Sequence, residues 1–193
     1  MQHSVFPIVR LSALSGLSFG LGGYLAGSMG DLMIIGVMAQ GILGGFALAL
    51  CTPLPTVRTA LKCGYGFFFG TLAGFAAAVM GVPMPTITDL GLAKGLVETS
   101  AYIFSLGGLG YGLAWGSVHS MGYRSFFMGL LGAGCFGVAA IGYALVEPLW
   151  IDHNADLIHL QLSSKFFLQG AIGGTLLGLA AGVHLHRSQS PQQ

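Results

Sequence analysis

Apolar residues occur along this chain in long runs that are separated by short polar or charged segments. Because a transmembrane helix needs about 20 mostly apolar residues, uncharged windows of about that length indicate candidate spans. Such windows cover residues 11–30, 32–50, 63–80, 99–118, 125–146 and 166–185. The pattern predicts an all-α membrane protein, with one compact bundle of six transmembrane helices over residues 1–187 and a disordered polar tail at 188–193.

The first window also has features of a secretory signal, because Arg10 precedes its apolar run. The apolar region of a signal peptide is typically only about 7–15 residues long, and this run is longer. We therefore expect the first window to remain in the protein as a permanent span.

The composition agrees with residence in a bilayer. Of the 193 residues, 54% are hydrophobic and only 7% are charged, whereas soluble domains are about 25% charged. The formal net charge is +1, and the sequence has no cluster of Lys and Arg that would bind nucleic acid. We therefore expect the lipid bilayer to surround this protein and expect no nucleic-acid partner.

The charged residues sort by sign when alternate connections between the windows are compared. One side carries only basic residues: Arg10, Arg58, Lys62, Arg124 and Arg187. The other side carries the acidic residues and two lysines: Asp31, Asp89, Glu98, Glu147, Asp152, Asp156, Lys94 and Lys165. Loops that stay in the cytoplasm are enriched in Lys and Arg. Both termini are therefore expected to be cytoplasmic, with the bacterial inner (plasma) membrane as the location.

Glycines recur at every fourth residue inside the windows, although Gly is a poor helix former. The clearest series are Gly66, Gly70 and Gly74; Gly108, Gly112 and Gly116; and Gly170, Gly174, Gly178 and Gly182. Such Gly-x-x-x-Gly stripes let two membrane helices approach closely. Two interpretations remain open, namely packing within one chain, or docking onto a second copy or another membrane protein.

Few polar side chains lie within the windows. Gln40 and Gln169 are predicted to link helices by side-chain hydrogen bonds, and Ser15 and Thr71 to bond to carbonyls of their own helices. No charged residue lies at the centre of a window. An ion-coupled pump usually needs a buried ionisable relay, so passive passage or an accessory role agrees better with this sequence.

The connection between the last two windows is the most chemically varied segment. If it is helical, Asp152, Asp156 and His159 share one face, and with His153 they offer ligands for a divalent cation. The alternative is an interfacial helix anchored by an aromatic residue, Trp150.

Two glutamates and the histidines at the helix ends are further candidates for solute, cation or cofactor binding. Glu98 and Glu147 are candidate solute or cation ligands, although Lys94 lies one turn before Glu98 and is a natural ion-pair partner. Haem or pigment binding would call on terminal histidines, namely His119, His184 and His186. No cofactor is predicted from these residues.

The sequence supports two functions of different classes. It contains no Gly-x-Ser-x-Gly, His-Glu-x-x-His or Gly-x-x-x-x-Gly-Lys motif, so we expect a protein that is not an enzyme. The first hypothesis is a small permease or solute-binding membrane component for a neutral or cationic solute. The second is a non-catalytic subunit or assembly factor that docks through its Gly stripes, as a homo-oligomer or within a larger membrane complex.

Overall fold

The computed structural model describes six stretches of backbone: residues 6–29, 33–50, 56–80, 94–118, 122–150 and 158–189. Side chains are described within residues 8–29, 35–50, 57–80, 101–118, 122–143 and 163–184. In these stretches the chain is all-helical and forms six helices: α1 (Phe6–Ser28), α2 (Met33–Leu50), α3 (Thr56–Val79), α4 (Lys94–Val118), α5 (Arg124–Trp150) and α6 (Ile158–Gln189).

The helices extend beyond several of the apolar windows. α3 begins at Thr56 and takes in Arg58 and Lys62, and α6 begins at Ile158 and continues to Gln189. Charged and polar residues such as Lys, Arg and Gln are good helix formers. An apolar window therefore marks the apolar part of a helix and leaves out its polar ends. At the C-terminal end, α6 includes Ser188 and Gln189, which belong to the tail that the sequence predicts to be disordered.

Three of the helices are long enough and apolar enough to cross a membrane within the described part of the chain. These segments are Ile8–Ser28, Arg124–Tyr143 and Ser163–His184. A fourth segment, Ile35–Leu50, is apolar but shorter.

The helices form a closed ring in chain order. Each helix packs against the next one, and α6 packs against α1 over the most extensive interface of all. Neighbouring helices run antiparallel, as the register between α4 and α5 shows: Gly108 faces Gly132, while Gly116 faces Ser125. The starts of α1, α3 and α5 therefore lie at the same end of the ring.

The centre of the ring is filled by aromatic side chains. Phe19 of α1 is fully buried, and its ring centroid lies 5.6 Å from Phe67 of α3, 4.8 Å from Tyr111 of α4 and 4.9 Å from Phe136 of α5. Ring pairs at these separations and tilts gain about 0.5–1.5 kcal/mol beyond their burial. The aromatic cluster of these four residues thus joins four of the six helices.

The predicted Gly stripes lie where neighbouring helices come closest. A Cβ atom on Gly112 would lie 2.9 Å from the Cα of Gly129 in α5. One on Gly70 would lie 3.0 Å from the Cα of Gly107 in α4, and one on Gly178 would lie 2.8 Å from the Cα of Ser12 in α1. At these positions only glycine allows the observed backbone separation. By contrast, Gly134 and Gly142 of α5 have no neighbouring atom within 4 Å of a Cβ position.

Candidate functional site

A pocket of about 200 Å³ lies beside the aromatic cluster, between the middle of α3 and the end of the bundle at which α3 ends. Its walls come from α2, α3 and α4, with one residue of α6. The lining residues are Val37, Gln40, Phe67, Phe68, Thr71, Leu72, Phe75, Ile103, Phe104 and Phe166. We refer to this space as the α2–α3–α4 pocket.

The pocket exists because α2 and α3 cross and then separate. They are in contact where Gly45 lies against Ala60 and where Gly41 lies against Gly64 and Phe67. The contacts of α3 with α4 continue on both sides of Phe67, since Cβ atoms on Gly66 and Gly74 would contact the backbones of Gly110 and Tyr102. The space left between the two diverging helices forms the pocket.

One side of the pocket reaches the outer surface of the ring. Leu72 and Phe75 of α3 line the pocket and are 46% and 54% exposed. On the inner side, Phe67 and Phe104 are buried, at 1% and 3% exposed. The pocket therefore extends from the lateral surface of the bundle to its aromatic centre.

The walls of the pocket are apolar, because its two polar residues direct their polar atoms elsewhere. Gln40 makes an interhelical hydrogen bond of the kind expected from the sequence: its Nε2 donates to the backbone oxygen of Phe19 at 3.1 Å. The hydroxyl of Thr71 lies beside Gly107 of α4, because a Cβ atom added to Gly107 would lie 2.6 Å from the Thr71 Oγ1. Within the described part of the chain, none of the lining residues is ionisable at neutral pH.

Gln169 differs from its expected role. Its side chain is fully buried, and both polar atoms of its amide lack a hydrogen-bond partner among the described residues. Gln169 lies one helical turn before Gly173, and a Cβ on Gly173 would lie 2.5 Å from the ring of Phe136. This face of α6 packs on aromatic and aliphatic side chains, which offer no donor or acceptor.

The hydroxyls predicted to bond to their own helices also differ from that expectation. Ser15 and Thr71 have buried hydroxyl oxygens without a hydrogen-bond partner in the described part of the chain. Ser12 instead forms a bond between helices, since its hydroxyl donates to the backbone oxygen of Thr175 at 2.8 Å. The sequence identifies these hydroxyls as buried in a helix without specifying their rotamers or partners.

The charged candidate residues fall largely outside the described part of the chain. Asp152, His153 and Asp156 lie in residues 151–157, which are not described, and so does His119, in residues 119–121. Glu98 lies on α4, Glu147 on α5, and His159 and His186 on α6, but their side chains are outside the described set. Among the described residues, no three His, Cys, Asp or Glu side chains group together as metal ligands.

The basic residues that are described lie at the two ends of the ring. Arg10, Arg58 and Arg124 are exposed at the end where α1, α3 and α5 begin. Lys165 lies towards the opposite end, with its Nζ 5.6 Å from the centre of the Tyr143 ring. At the start of α5, the Cζ of Arg124 lies 6.0 Å from the centre of the Tyr123 ring. These cation–π contacts hold both charges beside aromatic rings, and Lys165 directly precedes Phe166 of the pocket lining.

The sequence did not indicate the α2–α3–α4 pocket. The available signal was the run of three aromatic residues at Phe67, Phe68 and Phe69 in α3, two of which line the pocket. Aromatic residues at this spacing are equally typical of a lipid-facing helix, so the pocket follows only from the way in which α2 and α3 diverge. No family model, curated protein or solved structure matches this chain.

Proposed function

We propose that this chain is a six-span integral membrane protein that binds a small neutral solute inside its ring of helices. In this proposal both termini are cytoplasmic and the helices pack through their Gly-x-x-x-Gly stripes. The observation that supports solute binding best is the α2–α3–α4 pocket of about 200 Å³. An apolar cavity of about 150 Å³ is large enough to bind benzene, so this pocket has room for a somewhat larger molecule.

The charge of the lining favours a neutral solute over a cationic one. A cation that leaves water needs a carboxylate or a set of oxygen ligands. The pocket is lined by aliphatic and aromatic residues, with Gln40 and Thr71 as its polar members. The described lining contains no carboxylate, and the side chains of the acidic residues proposed from the sequence are outside the described set.

The filled centre of the ring favours a binding component over an open permease. The side chains of Phe19, Phe67 and Phe136 are each at most 1% exposed, and their rings contact one another across the middle of the bundle. A solute that crossed along the ring axis would have to displace these rings. Binding from the side requires no such displacement.

The Gly stripes give less support to the alternative of a docking subunit. The stripes on α3, α4 and α6 face the backbones of α4, α5 and α1, respectively. Their surface is thus already covered within this chain. Within the described part of α5, Gly134 is exposed and has no atom within 4 Å of a Cβ position, so it is a glycine that packing in this chain leaves uncovered.

Fluorine NMR with 4-fluorotoluene tests solute binding directly. The protein is placed in lipid nanodiscs, and a bound resonance is sought apart from the resonance of probe dissolved in lipid. Val37→Phe adds a ring to the pocket wall and should abolish the bound resonance. The matched control Val138→Phe makes the same change at a position on α5 that is 60% exposed, and should preserve it. A spectrum identical to that of empty nanodiscs would refute the proposal.

A further inference from the structure

We propose that the occupant of the α2–α3–α4 pocket is the terminal segment of a hydrocarbon chain, as in a membrane lipid, which enters sideways between α2 and α3. This inference rests on the proposed function and specifies its ligand. It depends on three features of the pocket: its chemistry, its opening and its depth.

The chemistry of the walls suits hydrocarbon. The amide of Gln40 is directed to the backbone oxygen of Phe19, and the hydroxyl of Thr71 lies beside Gly107. A polar ligand that leaves water for this space would lose most of its hydrogen bonds, which is unfavourable. The hydroxyl of Thr71, without a partner among the described residues, is buried, and the rest of the described lining is largely apolar. A hydrocarbon chain loses nothing, and it gains dispersion contacts that an unfilled apolar space lacks.

The opening faces the surface that lipid covers in a membrane. The exposed members of the lining, Leu72 and Phe75, are on the outer surface of α3, where Phe69 is also 61% exposed. A ligand from water would have to pass through the ends of the bundle or through the lipid. A lipid chain beside α3 is already next to the opening.

The depth of the pocket matches the position of chain ends. One end of the pocket, at Phe75 and Phe166, lies near the end of α3 and the start of the apolar segment Ser163–His184 of α6. Its other end, at Gln40 and Phe104, lies near the middle of α2 and α4. If these helices cross the bilayer, their midpoints lie at the level where the acyl chains of the two leaflets end. By proportion to the ~150 Å³ cavity that holds benzene, the pocket accommodates about eight carbon atoms, which is part of a chain and less than a whole lipid.

Photo-cross-linking with a chain-end probe tests the inference. The protein is reconstituted in phosphatidylcholine nanodiscs that contain a phosphatidylcholine with a diazirine at the end of one acyl chain. Labelled residues are identified by peptide mass spectrometry. Phe104 is only 3% exposed, so surrounding lipid cannot reach it except through the pocket, whereas Leu130 is 50% exposed and reports ordinary lipid contact.

The wild-type protein should be labelled at both Phe104 and Leu130. Val37→Phe should reduce labelling of Phe104 at least fivefold and leave Leu130 unchanged, while Val138→Phe should leave labelling of Phe104 unchanged. Leu72→Trp, which narrows the exposed opening, provides a second blocking variant if Val37→Phe does not fold. It should reduce labelling of Phe104 in the same way.

The possible failures are distinguishable. Labelling of Leu130 without Phe104 in the wild-type protein would overturn the hydrocarbon-chain inference. If the bound resonance of 4-fluorotoluene were then still observed, the pocket would bind a free small solute and the proposed function would stand. If that resonance were also absent, both proposals would fail.

Discussion

Replacing Gly112 by alanine tests whether the Gly stripes determine how closely the helices pack. The new methyl carbon would lie 2.7 Å from the carbonyl carbon of Met128 and 2.9 Å from the Cα of Gly129. Carbon atoms in favourable contact are about 3.5–4.0 Å apart, so α4 and α5 must separate by about 1 Å. Both clashing groups are backbone atoms, which cannot avoid the methyl group by changing rotamer.

The expected magnitude is the balance of two opposing effects. Overpacking in a close-packed interior costs about 1–3 kcal/mol, while the change from Gly to Ala favours the helix by about 0.5–1 kcal/mol. The second effect can be measured alone at Gly134, also in α5, where no atom lies within 4 Å of the added Cβ. Relative to Gly134→Ala, Gly112→Ala should therefore lower the free energy of unfolding by about 1–3 kcal/mol.

Unfolding by sodium dodecyl sulfate in mixed micelles provides the assay. The fluorescence of Trp115, which is buried in α4, reports on loss of packing. Gly134→Ala should unfold at the wild-type SDS fraction or above it, and Gly112→Ala clearly below it. If Gly112→Ala were as stable as Gly134→Ala, the close approach of α4 and α5 would not depend on glycine, and the reasoning would be refuted.

Other substitutions test the buried polar groups and the aromatic cluster in the same unfolding assay. Gln40→Leu removes the hydrogen bond to α1 and should destabilise the protein by about 0.6–1.7 kcal/mol; an unchanged midpoint would show that this bond contributes nothing. Gln169→Leu removes an amide without a partner among the described residues, so stability should stay equal or rise, and a loss above about 1 kcal/mol would reveal a missing partner. Phe19→Ala should cost about 3–5 kcal/mol because a fully buried ring is lost. The control Phe126→Ala, at a side chain that is 61% exposed, should change stability by less than about 0.5 kcal/mol, and equal effects of these two substitutions would contradict the central position of Phe19.

The helical class and the approximate helix positions follow from the sequence because hydrophobicity is a local property. Each apolar window corresponds to a helix, and the end of α2 at Leu50 and the end of α4 at Val118 coincide with the ends of their windows. The helices α3 and α6 begin at Thr56 and Ile158, before their apolar windows, because hydropathy is insensitive to a polar turn that is still helical. Glycine at four-residue intervals favours the close approach of two helices, but the sequence leaves open whether the second helix belongs to this chain or to a partner.

The pocket and the polar contacts could not be predicted because they depend on pairs of helices. Nothing in the sequence of α2 or α3 states that they meet where Gly41 lies against Gly64 and leave a space beside Thr71. The same limit applies to Gln40 and Gln169. Both were expected to link helices, but only Gln40 has a backbone oxygen within reach. The residues that the sequence offers as binding candidates are mostly charged, whereas the described lining of the pocket is mostly apolar.

Accessibility mapping with introduced cysteines tests the central claim of six crossings most directly. In a protein whose native cysteines have been replaced by serine, single cysteines would be placed at Arg10, Arg58, Arg124 and His184, and separately at Ser28, Met80 and Lys165. A maleimide that does not cross membranes would be added to intact cells and then to opened ones. The proposed arrangement predicts that the first group reacts only in opened cells and the second group in intact cells as well. Reaction of both groups from the same side of the membrane would contradict six crossings. So would reaction from the same side at two cysteines that the arrangement places at opposite ends of one helix.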